Sequence, residues 1–347
     1  MRFLSTALSI AVAGGLLAGC AGSPSSPSGP PIMSVQGHPV YSVYDDVAPA
    51  RAVTLLHALA TPDKVKATSG IYVSLFDGSD LLGYAADNKA NKKPICTVTG
   101  VSSVNDVAVD GKGDMIDPDG GSGYVIVHKG PTMCGKEAGL IQDSYGQPSD
   151  ASSADAITGK IAVGNIFDTG SAPGSISICT LKGGCTANLT NKDMLEAGGV
   201  AMANNGDCWD NAKENTTTGQ PVLLWFKGCA GGGKVATGFK STYYGGIDID
   251  NKGNLVIIDE MALAVYIYSG CNPACKLVGG PFALKAESFF GKLNKANTDY
   301  AAVDRTDGVV DVYSYSTKGI KYEYQFSNGL TASLAPEGVA QDPRSQQ

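Results

Sequence analysis

The chain has 347 residues, and 45 of them are Gly, about 13% against an ordinary share of roughly 7%. Hydrophobic residues make up 43%, enough for a large buried core, so disorder is excluded as the main state. Charged residues are only 17% and the net charge is −7, which argues against nucleic acid as a partner, because phosphate neutralisation needs a basic surface. The first element is not part of the fold. Arg2 is followed by an apolar run from Leu4 to Leu17, too short to span a bilayer and shaped like an export signal over 1–19. Residues 20–45 form a tether that begins with Ser, Pro and Gly (AGSPSSPSGPP), a composition that stays extended and flexible. Residues 46–67 are expected to be a short helix or a strap across the domain, and the folded domain is expected over 68–343, leaving 344–347 as a tail.

The domain carries an internal period. Gly113, Gly159, Gly206 and Gly253 recur at intervals of about 46–47 residues, a length typical of one propeller blade. Each sits between two apolar runs, in VAVDGKGDMID, ADAITGKIAVGN, VAMANNGDCWD and IDIDNKGNLVIID. A tight hairpin explains this, since Gly accepts φ > 0 and Asp or Asn bonds its own backbone. Further strand-like runs follow, YVIVHKG, SISIC, VLLWFKG, VYIYSG and VDVYSYSTKG, rich in β-branched and aromatic residues. Five units are expected near 105–145, 150–193, 198–240, 245–285 and 291–329. One strand is left over at each end, around 70–77 and 337–342. Together they predict a sixth blade closed by N-terminal strands plus the C-terminal strand, which leaves no open edge around the ring. A β-sandwich has no such period and a β-helix has a much shorter one. The fold class is therefore all-β, a six-bladed β-propeller.

Two resemblances follow from these residues. Leu17-Ala18-Gly19-Cys20 resembles the lipobox of bacterial lipoproteins, which implies cleavage before Cys20 and a lipid on its thiol. Two or more acyl chains anchor firmly. Ala21 after that Cys resembles the Gram-negative pattern that implies sorting to the outer membrane. The repeat itself resembles NHL-type six-bladed β-propellers over about 68–343, with weaker copies in the second and fifth units.

Setting Cys20 aside leaves eight cysteines, an even number in a chain expected to be exported. Cys179 and Cys185 bracket one turn, and Cys271 and Cys275 bracket another. Cys208 opens a second strand and Cys229 ends the adjacent third, so antiparallel pairing brings them together. Cys96 and Cys134 pair by elimination. A metal cluster needs further ligands, and His38, His57 and His128 form no set with them.

Loops between second and third strands share one propeller face with loops entering first strands, and that face surrounds the channel mouth. Counting from the repeat places Asp77, Asp119, Asn165, Asp210, Asp259 and Asp304 at the ends of second strands. One reading is an anionic ring for a divalent cation or cationic ligand. The other is that each caps its own loop, and recurrence in every blade favours it. The loops entering first strands are more individual: Tyr145 near Asp150, Tyr243 with Tyr244, Phe289 and Phe290 beside Glu287, and Glu337. Aromatics mixed with carboxylates suit sugars or peptides, unless the rings pack between blades. Asp110, Asp250 and Asp342 fall on the opposite face as turn formers. No GxSxG, HExxH, P-loop or EF-hand motif is present. Resemblance to gluconolactonase-like propellers would cast Asn105, Asp150, Asp210 and Glu337 around a divalent cation in the channel, although the surrounding motifs do not match. The expected function is a monomeric, lipid-anchored binding or scaffold module for an envelope protein, peptide or glycan, without a cofactor; the alternative is a metal-dependent hydrolase or lactonase.

Overall fold

The computed structural model describes residues 67, 69–78, 80–101, 104–120, 122–146, 151–157, 159–166, 173–215 and 219–345. The export signal with Cys20, the tether, Asp150 and all but Ala67 of the strap segment lie outside them.

Twenty-four strands in six antiparallel four-stranded sheets make up the described fold. Blade 6 takes β1 (Gly70–Leu75), β2 (Asp80–Ala85) and β3 (Cys96–Thr99) from the start of the chain. Blade 1 is β4 (Ala108–Val109), β5 (Met115–Asp119), β6 (Tyr124–His128) and β7 (Glu137–Gln142). Blade 2 is β8 (Ala151–Ile157), β9 (Lys160–Asn165), β10 (Ser175–Thr180) and β11 (Gly184–Leu189). Blade 3 is β12 (Met194–Met202), β13 (Cys208–Glu214), β14 (Pro221–Phe226) and β15 (Lys234–Val235). Blade 4 is β16 (Ile247–Ile249), β17 (Leu255–Asp259), β18 (Ala264–Ser269) and β19 (Lys276–Ala283). Blade 5 is β20 (Gly291–Leu293), β21 (Asp299–Asp304), β22 (Val309–Ser316) and β23 (Gly319–Phe326). The last strand, β24 (Pro336–Asp342), returns to blade 6 and pairs with β1, Tyr72 opposite Ala340 and Val73 opposite Val339. The fold is a six-bladed β-propeller whose ring closes between the two ends of the domain, as the leftover strands required.

The inner strands are buried and the outer ones half-exposed: β24 is buried throughout, while β19 shows Leu277 and Val278 to solvent. Apolar residues form six clusters, one at each seam between neighbouring blades. Val107, Val109 and Met115 of blade 1 pack with Tyr72, Leu81 and Val98 of blade 6, and Val310 and Val312 of blade 5 pack with Ile71 and Val339 on its other side. Low charge follows from this geometry, because a propeller blade buries both sheet faces.

The repeat glycines do what the spacing predicts. Gly113, Gly159, Gly206 and Gly253 all have φ between +77° and +90°. In the blade 1 turn the Gly113 N–H donates to the Asp110 carbonyl, and the Asp110 carboxylate accepts from Lys112 and Asp114. The blade 4 turn repeats this arrangement through Asp250. Blade 5 uses Asn297 at φ +53° instead, because Asn tolerates the left-handed region better than other side chains. That substitution is why its copy of the motif looks weak.

The eight described cysteines form four disulfides: Cys96–Cys134, Cys179–Cys185, Cys208–Cys229 and Cys271–Cys275. Every one lies on the face that carries the turns between first and second and between third and fourth strands. Such bonds belong to a chain that matures outside the reducing cytosol. Among the described residues no helix is long and apolar enough to cross a membrane.

Candidate functional site

The inner strands approach one another closely at the mouth, and glycine makes this feasible. A Cβ on Gly199 would stand 2.5 Å from the Gly245 carbonyl oxygen, and one on Gly338 would stand 2.4 Å from the Asp106 Cα. Both distances are far below contact, so any side chain there would push blades 3 and 4, or 6 and 1, apart.

The recurring acids at the ends of second strands are mostly loop caps. Asp259 accepts from the Thr242 N–H at 2.6 Å and the Ala262 N–H at 3.0 Å, and Asp304 accepts from the Asp307 N–H at 2.9 Å. Asp119 accepts from Ser122. Asn165 donates to Asp143 and Ser177. Two of the six are out of register. Asp77 lies beyond the end of β1 and is exposed. Asp210 is the third residue of β13, not its end. In blades 1, 2 and 4 the second strand ends six residues after the repeat glycine, and in blade 3 that position is Ala212. Asp210 instead matches Asp117 of blade 1, and both carboxyls are fully buried. Asp210 accepts one bond, from the Gly198 N–H at 3.0 Å, and its other oxygen has no partner. Burial pushes it up to about 8. Asp117 has no hydrogen-bond partner on either oxygen, and burial with Asp119 nearby drives it well above the usual carboxylate range.

Of the remaining candidates, Asn105 is buried beside the entry to β4. Tyr145 is half-exposed in a turn held by the Asp143 carboxylate, which accepts its N–H at 2.9 Å. Tyr243 stacks on Tyr244 with ring centroids 4.5 Å apart. Tyr244 is buried, packs edge-on against Phe289 and donates to Glu196, which also pairs with Lys213 at 2.8 Å. Phe289 and Phe290 are buried too. These rings are thus largely packed between blades 3, 4 and 5, with Tyr243 the half-exposed member.

What stands out at the mouth is a set of charges in the sector of blades 4, 5 and 6. Glu260 directly follows β17, Glu287 lies in the loop entering β20, Glu337 is the second residue of β24, and Arg305 directly follows β21. Glu260 and Glu337 are 2% exposed; Glu287 is half-exposed. Burial drives Glu260 well above the usual range, reinforced by the charge of Glu287, to which it is hydrogen-bonded, and by Glu337. Burial likewise pushes Glu337 up to about 8, against the pull of Arg305 and with Asp77 and Asp106 adding to the rise. The Arg305 guanidinium is 3.8 Å from the Glu337 carboxylate and lies over the Phe76 ring. Neither Glu337 oxygen accepts a hydrogen bond.

Glu260 and Arg305 were not singled out by the repeat. The signal was adjacent to one that was: each sits one residue after the capping Asp of its second strand, where blade 1 has Gly120 and blade 2 has Ile166. The cap recurs because every loop needs one, and the residue after it varies because it reaches the mouth.

Behind the mouth the channel is filled, from Asp106 beside Glu337 inward to Lys292. Asp106, Asp155 and Asp248 each accept from the next residue's N–H and from an N–H of the following blade: Ala154, Met202 and Leu293. Lys292 is buried among these three carboxylates, whose charges outweigh its desolvation and hold its ammonium above the usual lysine value. The residues expected as a tail begin here. Arg344 is buried, reaching Asp155 at 3.4 Å and the Met202 carbonyl at 3.1 Å, and Ser345 donates to Asp248. A small cavity remains between Asp155, Asp248, Lys292 and Arg344.

No family model and no curated protein matches the chain. Solved structures do. A chain of a nidogen–laminin complex superposes with a TM-score of 0.60 at 10% identity, covering 79% of this chain and 98% of that one. A protein of unknown function from Bacteroides caccae gives 0.52 at 12% identity, covering 79% and 98%. A protein from Lactobacillus plantarum gives 0.53 at 8% identity, covering 79% and 99%. At such identities the likeness is one of fold.

Proposed function

We propose that the chain is an envelope lipoprotein of the NHL-like type, cut before Cys20 and held by its lipid, whose propeller works as a binding module with its site at the channel mouth. The observation that carries this reading is asymmetry. Glu260, Glu287, Glu337 and Arg305 gather in one sector of the mouth, whereas the loop caps recur around the ring. The four disulfides fasten the opposite face, and the C-terminal residues fill that end of the channel. A ligand is therefore met at the differentiated end. The half-exposed Tyr243 and Tyr145 offer rings for a peptide or glycan there. Export is supported by the four disulfides, the lipid by Leu17-Ala18-Gly19-Cys20, and the outer membrane by Ala21. The repeat glycines support NHL kinship.

Two measurements test this. Mass spectrometry of the mature protein should find an N-terminal peptide starting at an acylated Cys20, and Cys20→Ser should move the protein from the membrane to the soluble fraction. A photo-crosslinking residue placed at Tyr243 in intact cells should give a discrete adduct, and one at Leu277 on the outer edge should not. An unprocessed N-terminus overturns the lipoprotein reading. Equal labelling from both positions overturns the assignment of the site to the mouth.

A further inference from the structure

We propose that the outer wall of blades 4, 5 and 6 docks on an anionic phospholipid surface. Three segments make this wall: the β2–β3 loop of blade 6 (86–95), β19 of blade 4, and β23 of blade 5 with the turn before it (316–326). Contacts join them. A Cβ on Gly279 of β19 would stand 2.6 Å from the Thr317 carbonyl oxygen in the turn before β23. Just after β23, the Ser327 and Asn328 N–H groups both donate to the Asn91 side-chain oxygen at 2.8 Å, and the Lys89 ammonium lies 5.5 Å over the Tyr324 ring. Lys89, Lys92, Lys93, Lys276, Lys318 and Lys321 are all exposed on these segments, and none of them forms an ion pair with a described residue. The exposed carboxylates there are Asp87 and Glu323, while Lys285 is paired with the buried Asp311 at 3.8 Å. Six lysines against two carboxylates leave four positive charges on one wall of a chain whose net charge is −7. The outer strands of blades 1 and 2 have no such surplus: β11 has no charged residue, and β7 has only Glu137.

Apolar side chains share the wall with these charges. Leu277, Val278 and Tyr322 are 46%, 41% and 40% exposed, three of the five large hydrophobics that stand out from the described surface. Lysine along an outer strand guards it against pairing with another sheet. That role accounts for the charges alone, because exposed apolar side chains on an edge invite the contact that lysine discourages. Strand addition by a protein partner is poorly served here: β19 contains Pro281, and its pairing with β18 shifts register twice. A bilayer interface suits both kinds of side chain. Ammonium groups reach the lipid phosphates while their stems, the aliphatic residues and the tyrosine ring lie at the boundary with the acyl chains. Each lysine near an anionic leaflet adds to binding, and charges farther away than a Debye length are screened. A local surplus therefore acts despite the negative charge of the whole chain. The lipoprotein reading enters only through proximity: a lipid on Cys20 keeps this wall within reach of a bilayer and leaves the mouth loops to their own ligand.

The Cys20→Ser chain, taken from the soluble fraction and so without lipid, is sedimented with two kinds of vesicle: phosphatidylcholine containing about 30 mol% phosphatidylglycerol, and phosphatidylcholine alone. Binding to the first is expected, about tenfold or more weaker to the second, and falling severalfold as NaCl rises from about 0.15 M to about 0.5 M, because the Debye length shortens. Lys276→Glu with Lys321→Glu should weaken it about tenfold or more. Leu277→Ser with Val278→Ser should weaken it severalfold with no change in charge. Lys112→Glu with Lys182→Glu, exposed lysines of blades 1 and 2, should change it far less. Absence of binding, equal binding to both vesicles, or an equal loss from the Lys112 and Lys182 pair overturns the inference. If the reversed protein melts early, Lys276→Gln with Lys321→Gln takes its place, and unchanged binding by that variant overturns it too. In intact cells a photo-crosslinking residue at Leu277 should label lipid and give no discrete protein adduct; such an adduct would make this wall a protein-docking surface instead. Loss of vesicle binding alongside an acylated Cys20 and an adduct at Tyr243 removes the membrane-facing wall and keeps the anchored binding module. Vesicle binding without them does the reverse.

Discussion

Asp210 shows how a single residue can be misplaced by a periodic reading and still govern a measurable property. Its carboxyl is fully buried, accepts one hydrogen bond, and is pushed up to about 8 from 3.8 by burial. Between those values the native state holds a proton that the unfolded state has released, so stability falls as pH rises through the window. Asp210→Asn keeps the shape and the bond from Gly198 but does not titrate. Its amide N–H₂ needs an acceptor, which costs about 1–2 kcal/mol, against a gain of a few kcal/mol where the wild-type carboxyl would be forced to ionise. Chemical denaturation should therefore find the variant flatter in pH than wild type, slightly less stable at pH 5 and about 1–2 kcal/mol more stable at pH 8. Parallel pH profiles for the two proteins would refute it. The repeat spacing predicts Asp210 at the end of a second strand, whereas the structure places it inside one. Counting six positions from Gly206 lands on Ala212, so the Asp two positions earlier is not the loop cap. Glu260 and Arg305 were hidden for a related reason, since a reading built on what recurs passes over the position that varies.

At the scale of the element, the hairpin turns were legible because a backbone requirement fixes the residue. Positive φ selects Gly at 113, 159, 206 and 253 and Asn at 297, and an interval of 46–47 cannot hide when the same requirement repeats. Disulfide pairing was legible for the same physical reason: antiparallel register places Cys179 opposite Cys185 and puts Cys208 opposite Phe226, near Cys229. The consequence of Cys96–Cys134 was not, because it depends on which blades are neighbours. This bond ties β3 of blade 6 to the loop between β6 and β7 of blade 1, across a sequence separation of 38, while Cys271–Cys275 spans only 4 within one turn. Loop-closure entropy then predicts that Cys96→Ala with Cys134→Ala costs about 4 kcal/mol and Cys271→Ala with Cys275→Ala about 2 kcal/mol. Equilibrium unfolding of the two double variants checks the order, and a larger loss for the short loop would contradict it.

For the whole molecule, the closed ring was legible as two strands without partners at opposite ends of the domain. What lay beyond reach was the path of the residues after β24, since their burial depends on a channel that exists only once six blades are assembled. Pro343 accepts from Lys295 of blade 5, Arg344 crosses to Asp155 of blade 2 and Met202 of blade 3, and Ser345 reaches Asp248 of blade 4. Three consecutive residues thus join four blades across one end of the channel. This strap differs from the β24 closure in kind: β24 supplies a strand that blade 6 cannot do without, while the strap ties together strands already formed. Removing β24 by ending the chain at Ala335 should leave no folded monomer. Ending it at Pro343 should leave the ring intact but unpaired at Asp155, a buried carboxylate that keeps its bonds from Ala156 and Met202. Breaking a buried pair outright costs about 3–5 kcal/mol, so with those bonds kept the loss here should be smaller, about 2 kcal/mol. Arg344→Ala should reproduce most of it. Hydrogen exchange locates the effect: faster exchange at Met202 and Leu293, whose N–H groups donate to Asp155 and Asp248, with the outer strands unchanged. Uniform loss of protection across all blades would instead mean that the strap is part of the closure itself, and that the ring depends on Arg344 as much as on β24.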